Sequence, residues 1–240
     1  MKLKSAIKLT VAAFAVLSIA APALAAAQSE DGLYIAILGA PAAGKSRQGK
    51  RISNSFGIPR FDLGDVLQDL VEEASKKGSQ SASARHKRSA ASAQRYQRAR
   101  EALEKLKAGE LVSDDSLNAI VASVVLSAEA SNGFVLDGYP MTVAQAEFLD
   151  SILDTQGITS LKVLYLNIPD EESLKRMSER NRADYKRGFG EERLRSFRTM
   201  IGPIFDYYGD KTVIEIDATR SEQAIANEIS SLLQDQKPLM

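Results

Sequence analysis

The chain has 240 residues, with 31 basic side chains balanced by 31 acidic ones. That balance argues against wholesale nucleic-acid binding, and the length suits one large domain. There is no cysteine and one histidine, His86, so disulfide frameworks, thiolate metal sites and histidine-cluster metal sites are all excluded.

The first residues read as a leader. Lys2, Lys4 and Lys8 form a basic stretch, Leu9 to Ala20 is an almost unbroken apolar run, and Ala23-Leu24-Ala25 offers small residues at the spacing a signal peptidase accepts. A signal peptide over 1–25 is expected, cleaved after Ala25 or, as second choice, after Ala27. The run is short for a spanning anchor, which needs roughly 20 residues. The absence of arginine from it speaks against a mitochondrial presequence. The expected location is therefore exported, periplasmic or secreted, with membrane contact only in transit and a cytoplasmic location as the alternative. Cleavage removes three lysines and no acid, leaving 28 basic against 31 acidic side chains and a net charge of −3.

Beyond the leader, apolar runs alternate with helical patterns over 26–240, which points to a parallel sheet with helices on both faces. The predicted strands are 33–38, 133–137, 162–167 and 212–217, with a short one at 59–62. The predicted helices lie near 45–55, 64–74, 114–130, 142–156, 170–181, 191–208 and 221–234. Between the first strand and the first helix lies Gly39-Ala40-Pro41-Ala42-Ala43-Gly44-Lys45-Ser46. It fits the phosphate-binding loop pattern G-x-x-x-x-G-K-[ST], in the strand–loop–helix context that pattern requires. Backbone N–H groups of such a loop cradle phosphate oxygens at a helix N-terminus. Lys45 would reach the terminal phosphates, and the Ser46 hydroxyl could hold Mg²⁺. Lys45 is expected to face solvent and to be dispensable for the fold.

Residues 74–107 break the composition. Lys76, Lys77, Arg85, Lys87, Arg88, Arg95, Arg98, Arg100, Lys105 and Lys107 are set against only Glu101 and Glu104. Tyr96, Ala99, Leu103 and Leu106 recur at helical spacing, so the second half is expected to be an amphipathic helix, and 79–83 a loop. A solvated helical insertion and a site for an anionic partner are both consistent with this.

Further motifs follow in order: Phe56-Gly57-Ile58-Pro59, then Asp62-Leu63-Gly64-Asp65-Val66-Leu67, then 109–114. Next come Asp137-Gly138-Tyr139-Pro140 with Gln145 five residues on, Ile168-Pro169-Asp170-Glu171 with Arg176 and Arg180 behind it, and Arg182-Ala183-Asp184 ahead of Arg193. Together with the phosphate loop, this series resembles adenylate kinase and the wider nucleoside monophosphate kinase family. The resemblance covers essentially the whole chain after residue 31. It implies a P-loop NTPase-type three-layer α/β/α fold with a five-stranded parallel sheet, a helical acceptor-covering insertion over 62–112, and a short lid at 182–193. It also implies ATP and Mg²⁺, a nucleoside monophosphate acceptor (AMP first), no specific nucleic-acid partner, and a monomer.

The transition state of phosphoryl transfer spreads negative charge, so catalysis is mostly positioning and electrostatic stabilisation. Guanidinium groups suit this because they stay charged and bind phosphate in a fork. The resemblance assigns Arg180, Arg182 and Arg193 to the cage around the transferred group, with Asp184 organising them. It assigns Arg176 to the adenine of ATP and Asp137 to the neighbourhood of the metal alongside Ser46. It assigns Gly39 to Ser46 to ATP; Ser46-Arg47 replaces the family's Gly-Thr, and Arg47 is expected to add a contact toward the α-phosphate.

The acceptor side departs from the family. Gln68 and Met141 stand where two arginines grip the acceptor phosphate, and Leu63 replaces a threonine before Gly64. Gly138 is kept, as is Gln145, which in the family reads the acceptor base. A charge-assisted hydrogen bond contributes roughly 1.5–3 kcal/mol, so two losses weaken acceptor binding unless other cations compensate. The basic insertion is one source of them. In the loop, Ala42 stands where the family has glycine, a change tolerable only if φ stays negative. Three readings remain open: a nucleoside monophosphate kinase, an exported nucleotide-binding protein of the same fold with little or no kinase activity, and a P-loop kinase for a non-nucleotide acceptor.

Overall fold

A computed structural model describes residues 32–78, 97, 100–105, 112–179, 189–209 and 212–234. The leader, most of the basic insertion, and Arg180, Arg182 and Asp184 lie outside the described residues.

Five strands, β1 (Leu33–Gly39), β2 (Arg60–Asp62), β3 (Gly133–Asp137), β4 (Lys162–Asn167) and β5 (Val213–Asp217), form one all-parallel sheet in the order β2-β3-β1-β4-β5. The central strands are apolar because both of their faces are covered. Tyr34, Ile35, Ala36, Ile37 and Leu38 are all fully buried. Alternation along β1 and β3 sends Ile35, Ile37 and Val135 to one core and Tyr34, Phe134 and Leu136 to the other.

The first core is closed by α1 (Lys45–Phe56), α6 (Phe189–Tyr208) and α7 (Glu222–Gln234), through Ile52, Phe197, Ile204 and Ile229. The second is closed by α3 (Asp114–Val125) and α4 (Val143–Thr155), through Leu117, Val121, Leu149 and Leu153. The fold is thus a three-layer α/β/α arrangement of the P-loop NTPase type. The remaining helices are α2 (Leu63–Gly78), which follows β2 directly, and α5 (Asp170–Glu179), which follows β4.

A smaller core joins Leu67 of α2, Ile120 of α3, and Ala102 and Leu103 from the helical residues 100–105. Leu103 is therefore a buried anchor, as its helical spacing suggested. Tyr96, Ala99 and Leu106 lie outside the described residues.

The helix expected over 114–130 stops earlier. It ends at Val125, and a separate 3₁₀ turn covers Ala128–Ala130. Ser127 stands between them in extended conformation (φ −78°, ψ 157°), and its hydroxyl and its N–H both donate to Val124 O, at 2.7 and 3.1 Å. Such local bonds compete with the helical ladder.

The chain runs from β1 to β2 and β3 on one side and to β4 and β5 on the other. The strand order reverses at β1, and in such sheets the crevice beyond the strands' carboxyl ends at this point is where ligands bind. Gly39, Asp62 and Asp137 all sit at that edge, with Asp62 and Asp137 directly in register.

Candidate active site

The loop from Gly39 to Ser46 wraps the start of α1. Two glycines make it feasible. A Cβ on Gly39 would lie 2.7 Å from Leu166 O, and Gly44 caps α1 at φ +101°. Ala42 has φ +63°. The expectation of a negative φ is overturned, and the alanine carries left-handed strain of roughly 1–2 kcal/mol that glycine would not. Ser173, fully buried on α5, donates to Pro41 O at 2.6 Å and pins the loop tip. The sequence reading did not pick out this residue.

Lys45 does not face solvent as expected. Its Nζ donates to Gly39 O at 2.7 Å and Ala40 O at 3.1 Å. The half-buried ammonium thus bridges two carbonyls of the loop.

Beside it, Ser46 stands next to Asp137, near enough for its hydroxyl to pull the carboxyl pKa down. Burial pushes the Asp137 carboxyl above the usual range, and the nearby Asp62 adds to this. The Ser46 hydroxyl, Lys45 and Arg60 pull the other way. Arg60 is a second residue that sequence reasoning missed. Its guanidinium bonds Asp137 at 2.6 Å, Asp62 at 3.2 Å and Asp65 at 3.1 Å. Asp62 also caps α2, accepting from Gly64 N–H at 2.9 Å. The available signal was the alternation of β2, which puts Arg60 and Asp62 on one face of a strand ending at the phosphate edge.

Next to the loop lies a cavity of about 370 Å³, lined in part by Gly44, Arg47, Gln48, Arg176, Arg220 and Glu222. Arg176 is oriented by Glu172 at 2.6 Å. Arg47 does not turn toward the loop. It bonds Glu222 at 2.9 Å, and Arg51 bonds the other oxygen of the same carboxylate at 3.0 Å. This double pairing, led by the Arg51 hydrogen bond, lowers the Glu222 pKa. Arg193 is exposed in the first turns of α6.

On the acceptor side, Leu63 and Met141 are half-buried against the cores, and Gln68 is exposed with Glu72 at 3.5 Å. Gly138 continues from β3 at φ +80°, its N–H donating to Ile37 O at 3.0 Å. Gln145 is 2% exposed. Its Oε1 accepts from Met141 N at 2.7 Å, and its Nε2 donates to Asp114 Oδ1 at 2.7 Å. Asp114 also accepts from Thr142 Oγ1 at 2.9 Å, so it ties the 138–145 turn to the start of α3. Asp114 lay inside a quoted motif, but its partners are 28 and 31 residues away.

The family model for adenylate kinase matches residues 87–213. An adenylate kinase of Fusobacterium nucleatum subsp. nucleatum is 30% identical over 228 residues, covering 84% of this chain and 98% of the relative. One of Mesorhizobium japonicum is 33% identical over 212 residues, covering 84% and 96%. One of Mycobacterium tuberculosis (strain H37Rv) is 32% identical over 179 residues, covering 75% and 87%. The chain belongs to the adenylate kinase family.

As a family member it is a phosphotransferase of the nucleoside monophosphate kinase class and uses ATP with Mg²⁺. Among the described residues, no group of three or more His, Cys, Asp or Glu side chains could hold a metal by itself. Ser46 and Asp137 supply hard oxygen atoms beside Lys45, and this fits an ion that keeps several waters and arrives bound to substrate phosphates. The family's adenylate kinase fold is thus equipped on the donor side, whereas the acceptor side carries Gln68, Met141 and an internally bonded Gln145.

Proposed function

We propose that this chain transfers the terminal phosphoryl group of ATP to AMP, giving two ADP. An oxygen of the acceptor phosphate bonds to the γ-phosphorus as the bond from that phosphorus to the β-bridging oxygen breaks. The convergence of Lys45, Ser46 and Asp137 at the carboxyl ends of β1 and β3 is the observation that carries this reading. Lys45 and the loop N–H groups hold the donor phosphates. Arg176 and Arg220 flank the donor base. Arg193, with Arg180 and Arg182, stabilises charge on the transferred group, and Asp184 organises these arginines. Ser46 and Asp137 would hold Mg²⁺, which would supply charge neutralisation at the phosphates when bound. The basic insertion supplies cations to the acceptor phosphate in place of those missing at Gln68 and Met141. The binding-only and non-nucleotide readings are not favoured by membership of this family.

We also propose that the leader over 1–25 is cleaved and the kinase exported, and that it works as a monomer. N-terminal sequencing of protein recovered outside the cytoplasm should start at residue 26 or 28, whereas an intact Met1 on a cytoplasmic pool would reverse the assignment. The activity is tested by a coupled assay of ADP formation with ATP, Mg²⁺ and, in turn, AMP, dAMP, CMP, UMP and GMP. AMP should give the highest kcat/KM. Turnover with none of the five would refute the proposal.

A further inference from the structure

Among the described residues, Asp137 has two cationic neighbours, and only one of them belongs to the phosphate loop. Lys45 is that one. Arg60 comes from the other side, at the start of the edge strand β2. Its stem crosses Gly49 of α1 so closely that a Cβ there would lie 3.0 Å from Arg60 Cδ. Its guanidinium then meets Asp137 Oδ2 at 2.6 Å, with Asp62 and Asp65 completing the set of carboxylates around it. The Arg60 and Asp137 side chains are 18% and 3% exposed. At that burial, Coulomb interactions are far less screened than at the surface. Ser46 of the phosphate loop stands beside the same carboxylate.

We propose that Arg60 is a resident counter-cation at the metal-anchoring carboxylate, so that the Mg²⁺ accompanying ATP must share or displace it. This rests on reading Ser46 and Asp137 as the metal end of an ATP site. A fixed positive charge at that carboxylate repels a divalent ion, and it also supplies charge that the ion would otherwise bring. ATP binding by this chain therefore depends less on Mg²⁺ than it would with a neutral side chain at position 60. Arg60 is a positioning residue here, acting through Asp137.

The test is the metal enhancement of ATP binding, the ratio of the ATP Kd in EDTA to that in excess MgCl₂, measured by titration calorimetry at pH 8 on the full chain. Arg60→Gln should raise the ratio on the order of tenfold, the equivalent of one charge-assisted contact released from Asp137. In an Asp137→Asn background the same substitution should change the ratio by less than about threefold, because the two residues act as one coupled pair. A second measurement needs no loss of the charge. The Arg60 Nε–H resonance of the wild type, assigned by its disappearance in Arg60→Lys, should move further with MgATP than with ATP in EDTA. A ratio unchanged or lowered in Arg60→Gln, or an Arg60 resonance that MgATP leaves in place, would overturn the inference. Failure of the wild type to bind ATP with or without Mg²⁺ would overturn the site reading itself, and the inference with it.

Discussion

Gln145→Leu decides between two roles for one side chain. As a reader of the acceptor base, Gln145 could be replaced with little cost to the fold. As the link between Met141 N–H and Asp114, it cannot. Leucine has nearly the same size, so packing at this 2%-exposed position is approximately kept. The substitution leaves Met141 N–H unpaired, which costs roughly 1–3 kcal/mol. It also removes a bond to a carboxylate, worth roughly 1.5–3 kcal/mol. Asp114 is half-buried and retains Thr142 Oγ1 at 2.9 Å, so water recovers part of that second term. The expected loss is about 2–4 kcal/mol, or a fall in Tm of roughly 5–15 °C for a domain of this size. Urea unfolding of wild type and variant, compared at equal m, reads it directly. A loss below about 1 kcal/mol, accompanied by a raised KM for the monophosphate, would refute the reasoning and return the amide to the acceptor.

Lys45→Ala should lower kcat by at least about a hundredfold, as expected for removal of a charge aimed at the transferred group. It should also cost about 1 kcal/mol in stability from the lost bonds to Gly39 and Ala40 carbonyls, a change a melting curve will show. Restoring both acceptor arginines with Gln68→Arg and Met141→Arg should raise kcat/KM for AMP at least about tenfold, with the KM for ATP nearly unchanged. Glu222 has a folded pKa below its unfolded value because of Arg51 and Arg47. Its contribution to stability is therefore present above the unfolded value of 4.5 and is lost as pH falls through the folded one. Glu222→Gln should lower Tm at pH 7 and leave it unchanged near pH 3, and an equal effect at both would contradict the pairing.

The strands were legible because the sheet is buried on both faces. An unbroken run such as Tyr34 to Leu38 has few alternatives in a chain that alternates with helical patterns. The phosphate loop was legible because its chemistry demands particular residues at fixed spacing. What escaped depends on geometry that spacing does not encode. The positive φ of Ala42 belongs to the loop's backbone path, and an alanine's own preference is for the opposite sign. Arg60 reads as an ordinary charge on a short strand until β2 pairs with β3 and brings it to Asp137, 77 residues away. The same applies to Gln145, whose amide meets Asp114 and Met141 N–H only once α3 and the 138–145 turn have packed together. Ser127 shows a local failure, since the backbone turns extended there although the apolar periodicity continued past it.

The most direct measurement follows the phosphoryl group itself. With ATP labelled at the γ-position, AMP and Mg²⁺, the label should appear at the β-phosphate of newly formed ADP, and Lys45→Ala should not produce it. Label released only as free phosphate, or left on ATP while the protein binds both nucleotides, would contradict the assignment of this site as a nucleoside monophosphate kinase.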